Sequence, residues 1–454
     1  MRFNIKEKIK KTAPVHIVLG FYFLIAIVTM IAFSLPIFRI PGSHLKFIDL
    51  AYFSVSTISL TGLANFQIHE FLNTHGIILL EVIFQICGFG VMMITTFVFI
   101  LSRRKIGVRT RQLIMVDTNQ NQMSGVVRMI KIIFLTYLGI QAVFGFLFGL
   151  YFYFGHYYKH LSSCFFWGIY NSVSALTNSG FDIFGNSLKN FNHHYLFLLM
   201  VILLMFIGSI GYPVTYEIFM WASSKDKKRF TFSLFTRVAV FGALFLIIFG
   251  TLIIFLLERT HLFAGTTPVS GFFTSFFYSV STRNAGLELH DISAFRPVTL
   301  LFFCLLMFIG SSPSSVGGGV RTTTIFIVIL HMASYIRGER DTIAFERRID
   351  LRDIQKAYVV LVSSVALCTV SFFLIMACED HPPLDIILEV ASAFGTTGMT
   401  SGLAQNLGIL GKLVMIVLMF VGRVSMLYFL TLFLPRDKKI NTSIRYPSEK
   451  IIVG

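Results

Sequence analysis

Four short stretches of this chain share one pattern: small, apolar and hydroxyl residues ending in a glycine and then a bulky apolar residue. They are Ser56-Thr-Ile-Ser-Leu-Thr-Gly62-Leu, Ser174-Ala-Leu-Thr-Asn-Ser-Gly180-Phe, Val280-Ser-Thr-Arg-Asn-Ala-Gly286-Leu and Ser392-Ala-Phe-Gly-Thr-Thr-Gly398-Met. Their glycines recur at intervals of 118, 106 and 112 residues, which marks an internal repeat. Four polar, glycine-ended loops set at regular intervals in an apolar chain have one economical explanation: they meet around a common axis.

The solvent of this fold is lipid. Hydrophobic residues make up 55% of the 454 and charged residues only 13%, against about 25% charged in an ordinary soluble domain. A net charge of +16 would in isolation suggest nucleic acid, but the Lys and Arg cluster between apolar spans. The five cysteines form no CxxC motif and have no His at ligand spacing, so they read as small buried hydrophobes. The basic Met1–Lys11 followed by an apolar stretch resembles a signal peptide. That stretch reaches the ~20 residues needed to cross a bilayer and lacks a small-residue cleavage site, so it reads as the first span.

Each quarter of the chain follows one plan. A first span (15–36, 131–154, 234–257, 356–377) leads to a short segment (47–60, 162–178, 268–283, 383–395), the glycine loop, and a second span (76–101, 195–222, 297–335, 407–434). Short segments of about fourteen residues cannot cross as helices and suit re-entrant half-helices. A second motif supports the alignment: Ile86-Cys-Gly88, Phe206-Ile-Gly208, Phe308-Ile-Gly310 and Phe420-Val-Gly422 follow their loop glycines by 26, 28, 24 and 24 residues. Of the 38 Lys and Arg, 28 fall in 1–14, 102–131, 225–237, 337–356 and 436–450, which puts these segments and both termini in the cytoplasm. The fold expected is an all-α polytopic membrane protein of eight spans and four half-helices. Two-span units all point the same way, as around a central pore; inverted-repeat transporters need odd-span units.

Converging loops can replace the hydration shell of an ion with rings of carbonyl oxygens. Glycine permits the backbone turns that aim them, and half-helix C-terminal ends favour a cation. The expected ion-binding positions, mainly through backbone carbonyls, are Thr61, Gly62, Ser179, Gly180, Ala285, Gly286, Thr397 and Gly398, preceded by Leu60, Asn178, Asn284 and Thr396. Hydroxyl and amide side chains among them would brace the loops from behind. Ordinary surface turns are the alternative, and four in register between apolar spans argue against it.

Several intramembrane oddities remain. The third second span, 297–335, is interrupted by Gly310, Ser311, Ser312, Pro313, Ser314, Ser315, Val316, Gly317, Gly318, Gly319 and Val320, which should break the helix. No phosphate-binding glycine motif fits there. Arg423, deep in the last span, is either an electrostatic barrier in the cavity below the loops or a structural pin on loop carbonyls. Arg283, close to Gly286, is expected to support its loop through hydrogen bonds or by pairing with an acid such as Glu389. Asp182 and Glu288 would either gather cations at the outer mouth or cap loops, Asp49 and Asp385 would cap short helices, and Arg321 has no assigned partner. No paired acids, nucleophile–histidine sets or metal ligands suggest an enzyme.

The four span–loop–span units with one glycine per loop resemble the Trk/Ktr/HKT superfamily of potassium transporters over nearly the whole chain. The lack of an extra N-terminal pair of spans and the tail Arg445-Tyr-Pro-Ser-Glu-Lys-Ile-Ile-Val-Gly454 are similar to its KtrB-like bacterial members. The resemblance implies a potassium-selective pore in the cell membrane, built as a homodimer on a cytosolic KtrA-like ring whose subunits carry the nucleotide. This chain itself would hold no cofactor, potassium being the transported ion and sodium a candidate activator. It further implies that 310–320 is an intramembrane gating loop beneath the filter, against the alternative of a plain kinked helix, and that Gly62 rather than Ser favours potassium over sodium. Lipid is the expected surroundings and nucleic acid is not a partner. A sodium-coupled symporter remains the competing reading.

Overall fold

Prolines and polar side-chain caps set where the helices start. Pro268, Pro297 and Pro383 occupy first-turn positions, where a missing N–H costs nothing. Asn73, Ser233 and Thr267 accept side-chain hydrogen bonds from backbone N–H groups of the turns they open. The computed structural model describes residues 14–43, 45–90, 125–181, 185 and 187–433.

The first repeat holds α1 (Pro14–Ser34), the short α2 (Phe47–Ser59) and α3 (Thr74–Phe89). The second holds α4 (Val126–Phe154), the short α5 (Leu161–Leu176), α6 (Tyr195–Ser209) and α7 (Tyr212–Ser223). In the third, α8 (Leu234–Glu258) and the short α9 (Pro268–Ser281) precede α10 (Pro297–Phe308) and α11 (Thr322–Ile336). The fourth has α12 (Leu351–Cys378), the short α13 (Pro383–Gly395), α14 (Ile409–Val424) and α15 (Met426–Leu430). Between α11 and α12 a two-residue antiparallel ladder pairs Ile343–Ala344 with Arg347–Arg348.

This is an all-α polytopic membrane protein. Among the described residues, Val127–Phe154, Leu234–Glu258 and Leu351–Cys378 are each long and apolar enough to cross a bilayer. Phe245, Ile248 and Leu252 on α8, like Val362 on α12, turn outward as lipid requires. The short helices face the other way: their last turns are buried almost without exception. At 13 to 16 residues they span about 20–24 Å, less than the ~30 Å hydrocarbon core.

Each first span packs on the short helix of its own repeat, and each second span packs on the short helix of the next. Thus α3 lies on α5, α6 on α9, α10 on α13, and α14 returns to α2. The succession is cyclic, so the four repeats form a closed ring.

The second spans differ from the sequence expectation. The sequence predicts a break in the third alone, yet the second and fourth break as well, and the described helix of the first ends early. α3 ends at Phe89 with Gly90 at φ +83°, and the rest of the span expected to 101 lies outside the described residues. α6 and α7 meet at a 105° bend, where Gly211 takes φ +102° and Pro213 removes a donor. α14 stops before Ser425, at φ +93°.

The recurrent glycines of these spans have a steric reason. A side chain at Gly88 would meet the Thr177 side chain at 2.9 Å, and one at Gly208 or Gly422 would overlap the carbonyl of Leu176 or Phe394. α6 and α14 therefore touch the ends of short helices at backbone distance, and α3 touches the Thr177 side chain. Replacing Gly422 with Val should destabilise the fold by about 1–3 kcal/mol, the usual result of overpacking. A thermal unfolding midpoint in detergent equal to that of wild type would contradict this.

Candidate functional site

The four short helices point their C-terminal ends inward, and their loops turn by left-handed residues. Leu60 (φ +57°) and Thr396 (φ +50°) cap α2 and α13, and Asn178 (φ +48°) follows α5. The loop glycines 62, 180, 286 and 398 all take positive φ, between +61° and +95°. In three loops the residue before the glycine donates its N–H to the serine carbonyl five positions back: Thr61 to Ser56, Ser179 to Ser174, Thr397 to Ser392. In the third loop Ala285 and Gly286 both donate to Ser281.

A Cβ on Gly62 would lie 2.7 Å from the Ser179 carbonyl oxygen, and one on Gly180 would lie 2.5 Å from that of Ala285. One on Gly286 would overlap the Thr397 oxygen, and one on Gly398 the Thr61 oxygen. Each glycine thus faces the carbonyl of the residue that precedes the next glycine, and the fourth faces the first. The twelve loop positions expected from sequence are brought together here, and all but the half-buried Gly62 are buried.

Polar side chains fasten the ring. Ser59 and Thr61 share a hydroxyl contact of 2.6 Å, Ser174 and Ser179 one of 2.9 Å. The Asn284 amide donates to the Gly395 carbonyl at 2.7 Å, and Asn178 donates to Met205 at 3.3 Å. The Ser392 hydroxyl accepts from the Gly398 N–H at 3.1 Å.

The broken segment of the third repeat crosses beneath. Ser312 and Val316 donate backbone N–H groups to Ser209 and Gly208 of α6, and Tyr212 of α7 donates to Ser314 at 2.8 Å. Val316 also touches the space above Gly88, while Gly317 abuts Asn284 and Gly318 abuts Thr396 and the Gly422 carbonyl. The segment therefore meets all four repeats directly below the loops. Gly319 takes φ +73° and Ser311 and Ser315 share a hydroxyl contact of 2.5 Å.

Arg423, 8% exposed, donates to the carbonyls of Val316 and Cys87, and Arg321 donates to the carbonyl of Gly317. The Arg423 guanidinium therefore ties the segment to α3 while placing its charge under the loops. Arg321, without a partner by sequence, grips the same segment.

The expected pairing of Arg283 with Glu389 does not occur. Arg283 turns back to the Ala243 carbonyl of α8 at 3.4 Å, and its Nε and Nη2 are buried without partners. Glu389 instead accepts from Thr400 in its own repeat. Adjacent loops share an interface, but here each long side chain follows its own repeat rather than crossing it. Asp49 and Asp385 sit in first turns. The Asp49 carboxylate does not cap α2: it binds Lys412 and the Asn65 amide, each at 2.7 Å. Glu288 is half-buried and its backbone carbonyl accepts from the Leu188 N–H, and Asp182 lies outside the described residues, as do most basic residues of 102–131 and the C-terminal tail. Outside the membrane, the hydrogen bond from Lys189 and its charge hold the Asp291 carboxyl below the usual carboxylate range.

Sequence reasoning missed Thr177, Asn65 and Lys412. Lys412 is a charge near the start of the last second span, but nothing in the chain says which acid it meets.

A family model described as cation transport protein, TrkH, matches residues 9–442. The chain belongs to the TrkH family of cation transport proteins. It is 38% identical to the Ktr system potassium uptake protein D of Bacillus subtilis, with both chains covered in full, and 30% identical to protein B of that system over 99% of each. The potassium/sodium uptake protein NtpJ of Enterococcus hirae is 29% identical over 98% of each chain. The crystal structure of the potassium transporter TrkH from Vibrio parahaemolyticus has the same fold, with a TM-score of 0.75 at 17% identity, covering 93% of this chain and 86% of that one. As a member of the TrkH family the chain is a transporter and not an enzyme.

The absence of an Arg283–Glu389 ion pair has a measurable consequence. A double-mutant cycle of Arg283→Met and Glu389→Gln, read by thermal unfolding in detergent, should give a coupling below about 0.5 kcal/mol. A coupling of several times that size would mean that the two charges do interact.

Proposed function

We propose that this TrkH-family protein takes up potassium through a channel-like passage whose selectivity filter is the glycine ring. The observation that carries the reading is the cyclic contact of Gly62, Gly180, Gly286 and Gly398 with the carbonyls of Ser179, Ala285, Thr397 and Thr61. Backbone carbonyls face the glycines all the way round this ring, and four helix C-terminal ends converge on it. That is an environment for a dehydrated cation and a repulsive one for an anion. The names of the Bacillus subtilis relatives, potassium uptake proteins of the Ktr system, supply the ion.

In this reading residues 310–319 are the gate, Arg423 adds a positive barrier below the filter, and the gate yields to a cytosolic nucleotide-binding partner of KtrA type. The protein works in the cell membrane as a homodimer with both termini in the cytoplasm. The cytosolic orientation rests on the asymmetry of Lys and Arg. A second reading, in which sodium is co-transported or activates transport, has support in the printed name of the Enterococcus hirae relative, a potassium/sodium uptake protein.

Complementation of cells deficient in potassium uptake tests the function. Wild type is expected to restore growth at low potassium, and Gly62→Ser to shift uptake toward sodium. Failure to rescue with and without a cytosolic partner would refute potassium uptake. Shortening 311–319 should raise resting potassium or rubidium flux in vesicles; flux at the wild-type level would remove the gate assignment while leaving the filter standing.

A further inference from the structure

Three of the four seams in the ring join repeats that follow one another along the chain. The fourth, between repeat 4 and repeat 1, has no such link, because it joins the two ends of the membrane domain. It is also the seam where Gly398 meets the Thr61 carbonyl. Whatever holds α14 against α2 therefore acts without help from chain connectivity.

An ion pair stands at that seam. Asp49, in the first turn of α2, and Lys412, in the first turn of α14, are 2.7 Å apart and 363 residues apart in the chain, with side chains only 15% and 12% exposed. Of the Lys or Arg pairs with carboxylates among the described residues, this is the most enclosed. The other pair that joins two repeats, Lys189 with Asp291, is largely open to solvent, where such contacts contribute little. The same Asp49 Oδ1 also accepts from Asn65, three residues beyond the loop glycine Gly62. One carboxylate oxygen thus joins the start of α2, the exit of the first loop and the second span of repeat 4.

We infer that Asp49 and Lys412 form a clamp that closes the ring and sets the width of the filter where its first and last loops meet. They are positioning residues: neither belongs to the loops that would touch the ion. The inference rests on the reading of the glycine ring as a filter. Selectivity among alkali ions depends on how far the ring can spread, so loosening one seam should admit sodium more easily without abolishing passage. Removing one partner leaves the other charge enclosed and unpaired, so each single substitution should also act on the seam more strongly than loss of a surface pair.

The test measures rubidium and sodium uptake by vesicles holding the purified full chain, with its thermal unfolding midpoint recorded in parallel. Asp49→Asn and Lys412→Met are each expected to lower the rubidium-to-sodium ratio by about fivefold to tenfold, the change that about 1–1.4 kcal/mol of differential ion energy produces. The exchange Asp49→Lys with Lys412→Asp should bring the ratio back toward wild type. It keeps opposite charges at the seam, and the Asn65 side-chain oxygen, buried and without a partner, is available to accept from a lysine at 49. Single variants that unfold at lower temperature but keep the wild-type ratio would overturn the inference, leaving a merely structural pair. An exchange that leaves the ratio as low as in the single variants would overturn it too. Wild-type vesicles that pass no rubidium would instead refute the filter reading itself, so the two failures are distinguishable.

Discussion

Everything in this molecule is arranged around a contact that leaves no room for a side chain. Each loop glycine lies against the carbonyl of the neighbouring loop, at a backbone angle that other residues adopt only with strain. The closest approaches between the loops are made by main-chain atoms. A ring built this way has no side-chain rotamers to adjust, so its dimensions are fixed by the helices that deliver it. That explains why so much of the fold is devoted to holding four short helices at one level. Their last turns are buried by spans that touch them through Gly88, Gly208 and Gly422, and a layer of hydroxyls stiffens the turns from behind.

The same requirement accounts for the broken second spans. Straight second spans would have to cross one another below the ring or leave a wide cavity there. Helix ends at Phe89, Ser209, Phe308 and Val424 let each second span pass close to a short helix and stop there, and at Gly211 the chain turns by 105°. Irregular backbone at membrane depth needs packing in protein or contact with water. Here the third repeat supplies that packing: its segment 309–321 fills the space under the ring and shares backbone hydrogen bonds with α6 and α7.

Much of this was legible in the sequence, for reasons that can be stated. The four turns announce themselves because glycine, hydroxyl residues and a helix too short to cross are local features, repeated four times. Pro268 and Pro383 mark where the short helices start. The bend at Gly211-Tyr-Pro213 was hidden because the apolar run from 195 to 222 continues through it, and hydropathy is blind to direction. Side-chain partners fared worst. Arg283 and Glu389 were matched by charge, yet Arg283 reaches back to Ala243. Asp49 has the sequence position of a cap, yet it binds a lysine from the far end of the chain. Such choices depend on where helices lie relative to one another, which no local pattern encodes.

Two guanidinium groups bear on how the segment under the ring would move in the gating reading. Arg423 holds the Val316 and Cys87 carbonyls and Arg321 holds that of Gly317. Successive carbonyls of the segment are thus occupied by charged donors, and hydrogen bonds of that kind contribute roughly 1.5–3 kcal/mol each. Displacing the segment exchanges them for water, so the closed arrangement is favoured by several kcal/mol unless the freed groups find new partners. Turning a two-state gate from almost always shut to almost always open takes about 5.5 kcal/mol of differential binding. In the gating reading, a cytosolic partner that held the open state would have to supply an interface of substantial differential affinity. A single surface ion pair, at about 0–1 kcal/mol, falls well short of it.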